Sequence, residues 1–342
     1  MKLSDLTLTT PYLSLEPIFY DEVPPTPLKN PRLASLNPDA AALLGLDPEK
    51  LDPTELAALL NGTLRLEGTR FYAMCYAGHQ FGHYVPRLGD GRAINLGKVS
   101  GWNLQLKGAG QTLYSRQGDG RAVLRSSIRE YLISEAMDAL GIPTSRALAL
   151  ITSDERVARE RWERGAVVLR LAPSWIRFGS FEYFFHTNRH AQLEQLADFL
   201  LHESFPDLVG QEDPYLKMFA EIVRRTAELI AQWQSVGFNH GVMNTDNMSA
   251  AGITIDYGPF AFMDTFESGY ICNHTDTYGR YSYDSQPGIA LWNLQRLALA
   301  LTPLIPREKL ETELQNYPLW FTTTLQPQLR STLRLEEDHQ DD

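Results

Sequence analysis

The sequence predicts an α+β fold in which a small β-rich region comes first and a larger helical region follows. Three observations carry that prediction. From Phe71 to Leu106 and again from Arg146 to Leu171 the chain runs in short alternating or β-branched stretches broken by turn residues. After Ser180 the apolar residues recur at helical spacing. Inside that helical half lies Gly237 to Phe266, GFNHGVMNTDNMSAAGITIDYGPFAFMDTF, which packs two carboxylates and an amide into short, turn-rich sequence. A sheet lobe above a helical lobe, with the site between them, accounts for this order.

Taken in order, residues 1–70 are predicted to form an extension that wraps the lobes. Prolines at 11, 17, 24, 25 and 27 favour extended backbone. Asn37-Pro38 and Asp52-Pro53 each set a capping side chain before a proline suited to the first helical turn, so two short helices start there. Residues 71–180 form the β-rich lobe. Arg87 to Leu96 reads as a hairpin around Gly89-Asp90-Gly91, and Trp102 to Lys107 as a strand whose alternation sends Asn103, Gln105 and Lys107 to one face. Ala122 to Leu140 has helical spacing closed by Gly141 and Pro143, and strands near Arg146–Ile151 and Ala166–Leu171 follow. Residues 181–342 form the helical lobe, with helices over about 190–203, from Asp213-Pro214 to just before Gly237, and from Ser285-Gln286-Pro287 through Leu301.

Composition narrows the function classes. A chain of 342 residues with 43% apolar residues can bury a sizeable core. A net charge of −11 argues against a nucleic-acid-binding surface, which needs clustered positive charge. Two cysteines, Cys75 and Cys272, do not make a disulfide framework. The N-terminus has no basic segment followed by an apolar core, and no apolar run is long enough to span a bilayer, so a soluble cytoplasmic protein is expected.

The 237–266 stretch carries the chemistry. A helix ending at Gly237 leads into a loop bearing His240, Asn244, Asp246 and Asn247. Met248-Ser249 and Ile253-Thr254-Ile255 read as a short hairpin that delivers Asp256 beside Asn247. An amide oxygen and a carboxylate are hard ligands that suit Mg²⁺, or Mn²⁺ in its place, with other positions left for water and phosphate. Protein kinases hold their metals in this way, with a catalytic-loop Asn and the Asp of a D-F-G triplet; here the triplet is Asp256-Tyr257-Gly258. The kinase base follows the loop His by two residues, and Val242 occupies that place. Valine cannot accept a proton. Either the base has moved to Asp246, the loop's one carboxylate, or the reaction is not phosphoryl transfer to a hydroxyl.

Phosphates need turn amides and fixed positive charge, which Gly89-Asp90-Gly91-Arg92, Lys107-Gly108-Ala109-Gly110 and Asp119-Gly120-Arg121 supply. The pentapeptide GDGRA occurs twice, and two turns explain it without an internal repeat. Lys107 on a strand before a helix with Glu130 matches the kinase pair in which an acid holds the lysine on the phosphates; Glu135 is a rival partner. His79 and His83 have H-x-x-x-H spacing but no third ligand, so structural hydrogen bonds are expected of them rather than zinc. His240 is expected to orient its loop, and His274 and Asp276 to be solvated.

The run HGVMNTDNMS with TIDYGPF, together with GHQFG, LGDGR, LKGAG, YSRQGDGRAVLRSSIRE and RFGSFE, resembles the selenoprotein-O-like (SelO/YdiU) family of pseudokinases from about Pro25 to Ile305. The resemblance implies a protein-kinase-like bilobal fold that transfers AMP from ATP to Ser, Thr or Tyr hydroxyls of proteins, itself included, releasing pyrophosphate. It favours Glu130 as the partner of Lys107. It also matches Arg170 and Arg177 to two arginines that grip the terminal phosphates of a nucleotide bound in flipped orientation. In that assignment Asp246 is the base, Asn247 and Asp256 hold the metal, and Gly89, Gly91, Arg92, Asp119 and Gly120 line the nucleotide. Transfer from UTP, ordinary phosphotransfer and an inactive nucleotide-binding scaffold are the alternatives. Family members commonly extend beyond position 342 with a cysteine or selenocysteine near the C-terminus; this chain ends in EEDHQDD, so it looks truncated relative to them, and a redox pairing of Cys272 is in doubt.

Overall fold

The structure, a computed structural model, describes residues 1–334, so the acidic EEDHQDD terminus lies outside the described residues. The architecture is a mixed α/β one: an antiparallel sheet in the first half and a helical C-terminal region. The sheet takes β1 (Tyr20–Glu22), β2 (Arg32–Leu36), β3 (Tyr72–Met74), β6 (Ala93–Val99), β7 (Trp102–Lys107), β8 (Ala122–Val123), β9 (Arg146–Ala158) and β10 (Trp162–Ala172). Its order is β1-β3-β6-β7-β10-β9-β2, with β8 on β10. The first seventy residues thus supply both edge strands, which leaves few unpaired backbone groups from the longer strands at the rim. A separate hairpin, β4 (Gly78–Gln80) with β5 (His83–Val85), leaves the sheet and reaches the functional loop.

The helical caps follow the sequence closely. The Asn37 side chain accepts hydrogen bonds from the Asp39 and Ala40 amides at the start of α1 (Pro38–Leu43), and Asp52 accepts from the Thr54 amide at the start of α2 (Pro53–Leu60). These helices cover one face of the sheet, burying Leu44, Leu56, Leu59 and Leu60 against Ile94, Leu104, Leu106 and Leu169. On the other face, α3 (Leu124–Ala139) packs on β9 and β10. The predicted alternation in β7 holds: Leu104 and Leu106 enter the α1/α2 side while Lys107 faces the functional site.

The helical half comprises α4 (Phe178–His186), α5 (His190–Ser204), α6 (Pro214–Ser235), α7 (Gln286–Leu301), α8 (Arg307–Leu314) and α9 (Tyr317–Leu333), with β11 (Phe238–Asn239) and β12 (Ala261–Phe262) paired beside the functional loop. Its centre is α6, whose Met218, Phe219, Ile222, Val223, Leu229, Ile230 and Trp233 recur every three to four residues and are buried. Gly237, at φ +68°, turns the chain out of α6 into the loop, a conformation that costs a side-chain-bearing residue free energy. No described helix is long and apolar enough to cross a membrane.

Trp233 ties this core to the loop. Its indole N–H donates to Thr254 Oγ1 at 3.1 Å, its ring stacks on His240 with centroids 5.2 Å apart, and it is 1% exposed. Trp233→Ala removes that packing and one of the hydrogen bonds to Thr254, so a loss of about 3–5 kcal/mol is expected in denaturant unfolding.

Two hairpin expectations need correction. Arg87–Leu96 is not a hairpin: the strand begins at Ala93, because the Asp90 carboxylate turns inward to accept from the Met74 amide and the Asn95 and Gln105 side chains. The expected 248–255 hairpin shrinks to a single bridge between Met248 and Thr254, since Ser249 bridges Arg177 and the Ser145 amide donates to the Thr254 carbonyl. β9 and β10 also run longer than expected, meeting in a tight turn at Arg159–Arg161.

Candidate functional site

Between the sheet and the 237–266 loop lies a cleft of about 600 Å³. Gly89, Gly91, Arg92, Lys107, Asp119, Gly120, Arg170, Arg177, Asp246, Asn247 and Asp256 all line it. Glu130 does not reach the cleft surface; it stands directly behind, 4% exposed. Both GDGRA turns border the same cleft, although Arg121 itself is committed to Glu155 and the Thr26 carbonyl.

A chain of charges forms the floor. Lys107 Nζ sits 2.7 Å from Glu130 Oε2 and 2.6 Å from Asp256 Oδ1, and Arg170 Nη1 donates to Glu130 Oε1 at 2.9 Å. Glu130 is therefore the partner of Lys107. Glu135, the rival, is taken by Arg146 and the Ala147 amide. Burial alone would raise the Asp256 carboxyl, but Lys107 and Arg170 outweigh it and hold the group well below the usual carboxylate range. Asp256 stays ionised at any physiological pH.

The two arginines differ. Arg170 stacks on Trp175, its Nη1 donates to Glu130 and the Ile255 carbonyl and its Nη2 to Gln105, so both terminal nitrogens are engaged within the protein, while its Nε has no partner. Arg177 lies over the Tyr76 ring at 4.6 Å, donates to the Asp246 carbonyl at 2.7 Å and approaches Asp90 at 3.7 Å. Its Nε has no partner. Arg92, exposed at the mouth, makes no ion pair among the described residues and adds to the positive field on Asp256.

Asp246 lines the cleft but is itself buried. Its side chain takes one hydrogen bond, from Gln80 Nε2 to Oδ2 at 3.2 Å, while Oδ1 is buried without any partner. Burial pushes its carboxyl up to about 6, against the opposing pull of Arg177. Such a group accepts a proton near neutral pH while remaining largely ionised. Beside it, Asn247 Nδ2 donates to the Val242 carbonyl at 2.9 Å, which leaves the amide oxygen as the free end.

The donor set fits a hard divalent cation: the Asn247 amide oxygen and the Asp256 carboxylate, whose Oδ2 accepts from no described residue. Among the described residues no group of three or more His, Cys, Asp or Glu could hold a metal ion, so most remaining ligands would be water or phosphate. That pattern suits Mg²⁺ or Mn²⁺ rather than a closed structural site.

The β4–β5 hairpin fixes the loop, a role the sequence did not reveal because Gln80 meets Asp246 across 166 residues. Gly78 packs so closely that a Cβ there would lie 2.9 Å from Asp246 Oδ1. The His79 amide donates to Thr245 Oγ1 at 2.7 Å, Thr245 Oγ1 donates to Glu182 Oε2, and His79 Nδ1 lies 2.6 Å from Glu182 Oε1. His79 is thus a structural hydrogen-bonding residue, and His83 is exposed. Glu182→Gln weakens this buried hub, and a loss of about 2–3 kcal/mol in chemical denaturation is the expected outcome. His240, neutral because burial lowers its pKa, bridges the Asp256 carbonyl at Nε2 and the Val242 amide at Nδ1, which ties the two ends of the loop together. Asp276, expected to be solvated, is buried and accepts from the Arg280 and Tyr281 amides. Burial pushes the Cys272 thiol up to about 11, so at neutral pH it is a thiol and not a reactive thiolate.

Comparison with known proteins gives the family. Residues 2–342 match the family model described as protein adenylyltransferase SelO. The chain is 53% identical over 324 residues to the protein nucleotidyltransferase YdiU of Thiobacillus denitrificans, covering 93% of this chain and 66% of that one. Against the proteins of the same name from Ectopseudomonas mendocina and Myxococcus xanthus the identities are 52% and 50%, each covering 71% of the relative. The chain spans about two thirds of the length of the curated relatives it matches. Among solved structures, WaaP in complex with acyl carrier protein is similar at 15% identity and a TM-score of 0.26, covering 90% of this chain, too slight a likeness to bear on the fold.

Proposed function

Because the chain belongs to the family of protein adenylyltransferase SelO, we propose that it moves AMP from ATP onto Ser, Thr or Tyr hydroxyls of proteins, itself included, and releases pyrophosphate. The observation that carries this reading is the unpartnered Asp246 Oδ1 in a cleft that also holds Asn247, Asp256, Lys107 and Arg177, with Val242 at the position where a kinase keeps its base.

In this reading the arrangement is protein-kinase-like and bilobal. Residues 1–70 wrap the lobes, 71–180 form the nucleotide lobe, and the described part of 181–342 forms the helical lobe. Lys107, held by Glu130, and Arg177 bind the triphosphate, and Arg170 braces Glu130 from behind. Arg92 and the turns at Gly89, Gly91, Asp119 and Gly120 border the nucleotide. Asn247 and Asp256 would hold Mg²⁺ or Mn²⁺, which supplies charge neutralisation on the phosphates when bound. The acceptor oxygen attacks the α-phosphorus as the bond from that phosphorus to the bridging oxygen breaks; its proton passes to Asp246, and pyrophosphate leaves. Cationic forks near the leaving group stabilise its charge as it departs. Two unpaired cysteines fit action in the reducing cytoplasm.

Product analysis tests the reaction class. Incubation with ATP and Mg²⁺ should release pyrophosphate in step with AMP bound to protein. ADP release with phosphate on the acceptor would make the protein a phosphotransferase instead. UTP in place of ATP tests the base preference.

A further inference from the structure

The β9–β10 hairpin carries positive charge that the fold does not neutralise. Its tip pairs Arg164 with Arg156 and Trp162 with Ala158 directly across the strands, on the face opposite buried Val157 and Glu163. Like charges placed opposite each other destabilise a strand pair, so this pairing has a cost that packing does not explain. Arg156, Arg161 and Arg164 are exposed and form no ion pair among the described residues, and Trp162 is 68% exposed. Of the hairpin's carboxylates, Asp154, Glu155 and Glu163 are spent on Arg32, Arg121 and Arg125, and Glu160 at the turn offsets one of the three unpaired arginines. All this stands on a chain whose net charge is −11.

The patch is continuous with the cleft. A groove of about 360 Å³ is lined by Arg156 and Ala158 on the hairpin and by Gly110 and Gln111 opposite, and it shares Asp119 and Arg121 with the nucleotide cleft. Its acids are both neutralised: Asp119 accepts two hydrogen bonds from Arg159 at 2.7 and 3.0 Å, and Glu155 accepts from Arg121 at 2.8 Å. The groove therefore presents the unpaired Arg156 on its wall, with Arg164 and the exposed Trp162 directly across the strands from its lining residues Arg156 and Ala158.

We propose that this hairpin and groove dock an acidic segment of the acceptor polypeptide, rich in Asp or Glu, and lead its hydroxyl-bearing residue toward the cleft. The assignment rests on the protein-modifying reading above. Charge complementarity selects the occupant: unpaired guanidiniums bind carboxylates bidentately, and Trp162 offers a flat apolar surface. A long polyanion such as RNA is disfavoured, because the rest of this acidic chain would repel it.

The test uses a fluorescein-labelled synthetic peptide with one serine among glutamates, its glutamine counterpart, and a single-stranded oligoribonucleotide. Anisotropy titrations compare the full chain with the triple variant Arg156→Gln/Arg161→Gln/Arg164→Gln and with Trp162→Ala. The glutamate peptide should bind at least about tenfold more tightly than the glutamine peptide, and the triple variant should lose about tenfold, a factor of two to three for each exposed charge pair. Raising salt from about 0.05 to about 0.3 M should erase most of the difference. Equal affinity for the two peptides, or an unchanged triple variant, overturns the proposal. So does an oligoribonucleotide that binds more tightly than the peptide through the same arginines. A fluorescent ATP analogue bound equally by all variants shows that the cleft is intact. The peptide arm needs no turnover, so a protein that binds the peptide but transfers no AMP contradicts the proposed reaction and not the docking surface.

Discussion

Asp246→Asn should abolish transfer while leaving ATP bound. The substitution keeps the shape of the side chain and its contact with Gln80, but an amide cannot take the hydroxyl proton. The rate of AMP transfer should fall about 10²- to 10⁴-fold, with ATP affinity within about threefold of wild type. The wild-type rate should also depend on pH. Asp246 must be ionised to accept a proton, and its carboxyl titrates at about 6, so activity should rise as pH increases through 6 and then level off. The same shift has a stability consequence. A carboxyl whose pKa is raised on folding favours the folded state only when protonated, so its ionisation costs stability between the ordinary value of 3.8 and about 6, and the full cost persists above that range. Above pH 7 the cost is about 3 kcal/mol, and the neutral Asn variant should unfold at a higher temperature than wild type. A variant that is more stable and inactive is what a strained functional group predicts.

Asp256→Asn should produce the other large effect, by a different route. Buried Lys107, Arg170 and Glu130 and the part-exposed Asp256 form a set of two positive and two negative charges. Neutralising Asp256 leaves one positive charge uncompensated and removes the proposed metal's carboxylate. Loss of a partner from a buried pair costs about 3–5 kcal/mol, so the melting temperature should fall, opposite in sign to Asp246→Asn. Mg²⁺-dependent ATP binding, measured by calorimetry with and without the metal, should weaken by at least about a hundredfold while metal-free binding holds or improves. Metal-dependent affinity equal to wild type would remove Asp256 from the metal-binding role.

Much of the fold was legible because it follows local rules. β7 begins and ends at the predicted residues, the caps at Asn37 and Asp52 form as the sequence implies, and α6 ends before Gly237. What was missed has no local signal. In α4 the residues from Phe178 to Glu182 are all buried, so no polar face marks a period. Pro327 sits inside α9 and disguises it. The extended β9–β10 tip is charged and exposed, which hides its alternation.

The candidate site was legible to a similar depth. Spacing within 237–266 located Asp246, Asn247 and Asp256, and the strand alternation aimed Lys107 at them. Spacing alone left Glu130 and Glu135 open because both lie on α3; the resemblance favoured Glu130, and the packing against β7 and β9 gives Glu130 to Lys107 and Glu135 to Arg146. Gln80, Glu182 and Arg159 reach the site from distant segments, and nothing in their neighbouring sequence tells that. Arg170 lines the cleft as the resemblance implies, but its terminal nitrogens are engaged with Glu130, the Ile255 carbonyl and Gln105.

The most direct measurement is intact-mass analysis of the protein and of a bacterial lysate after incubation with ATP and Mg²⁺, wild type beside Asp246→Asn and Asp256→Asn. The account predicts a gain of one AMP, about 329 Da, on protein in the wild-type reaction and none with either variant. A phosphate-sized gain, or AMP transfer that survives Asp246→Asn, would contradict it.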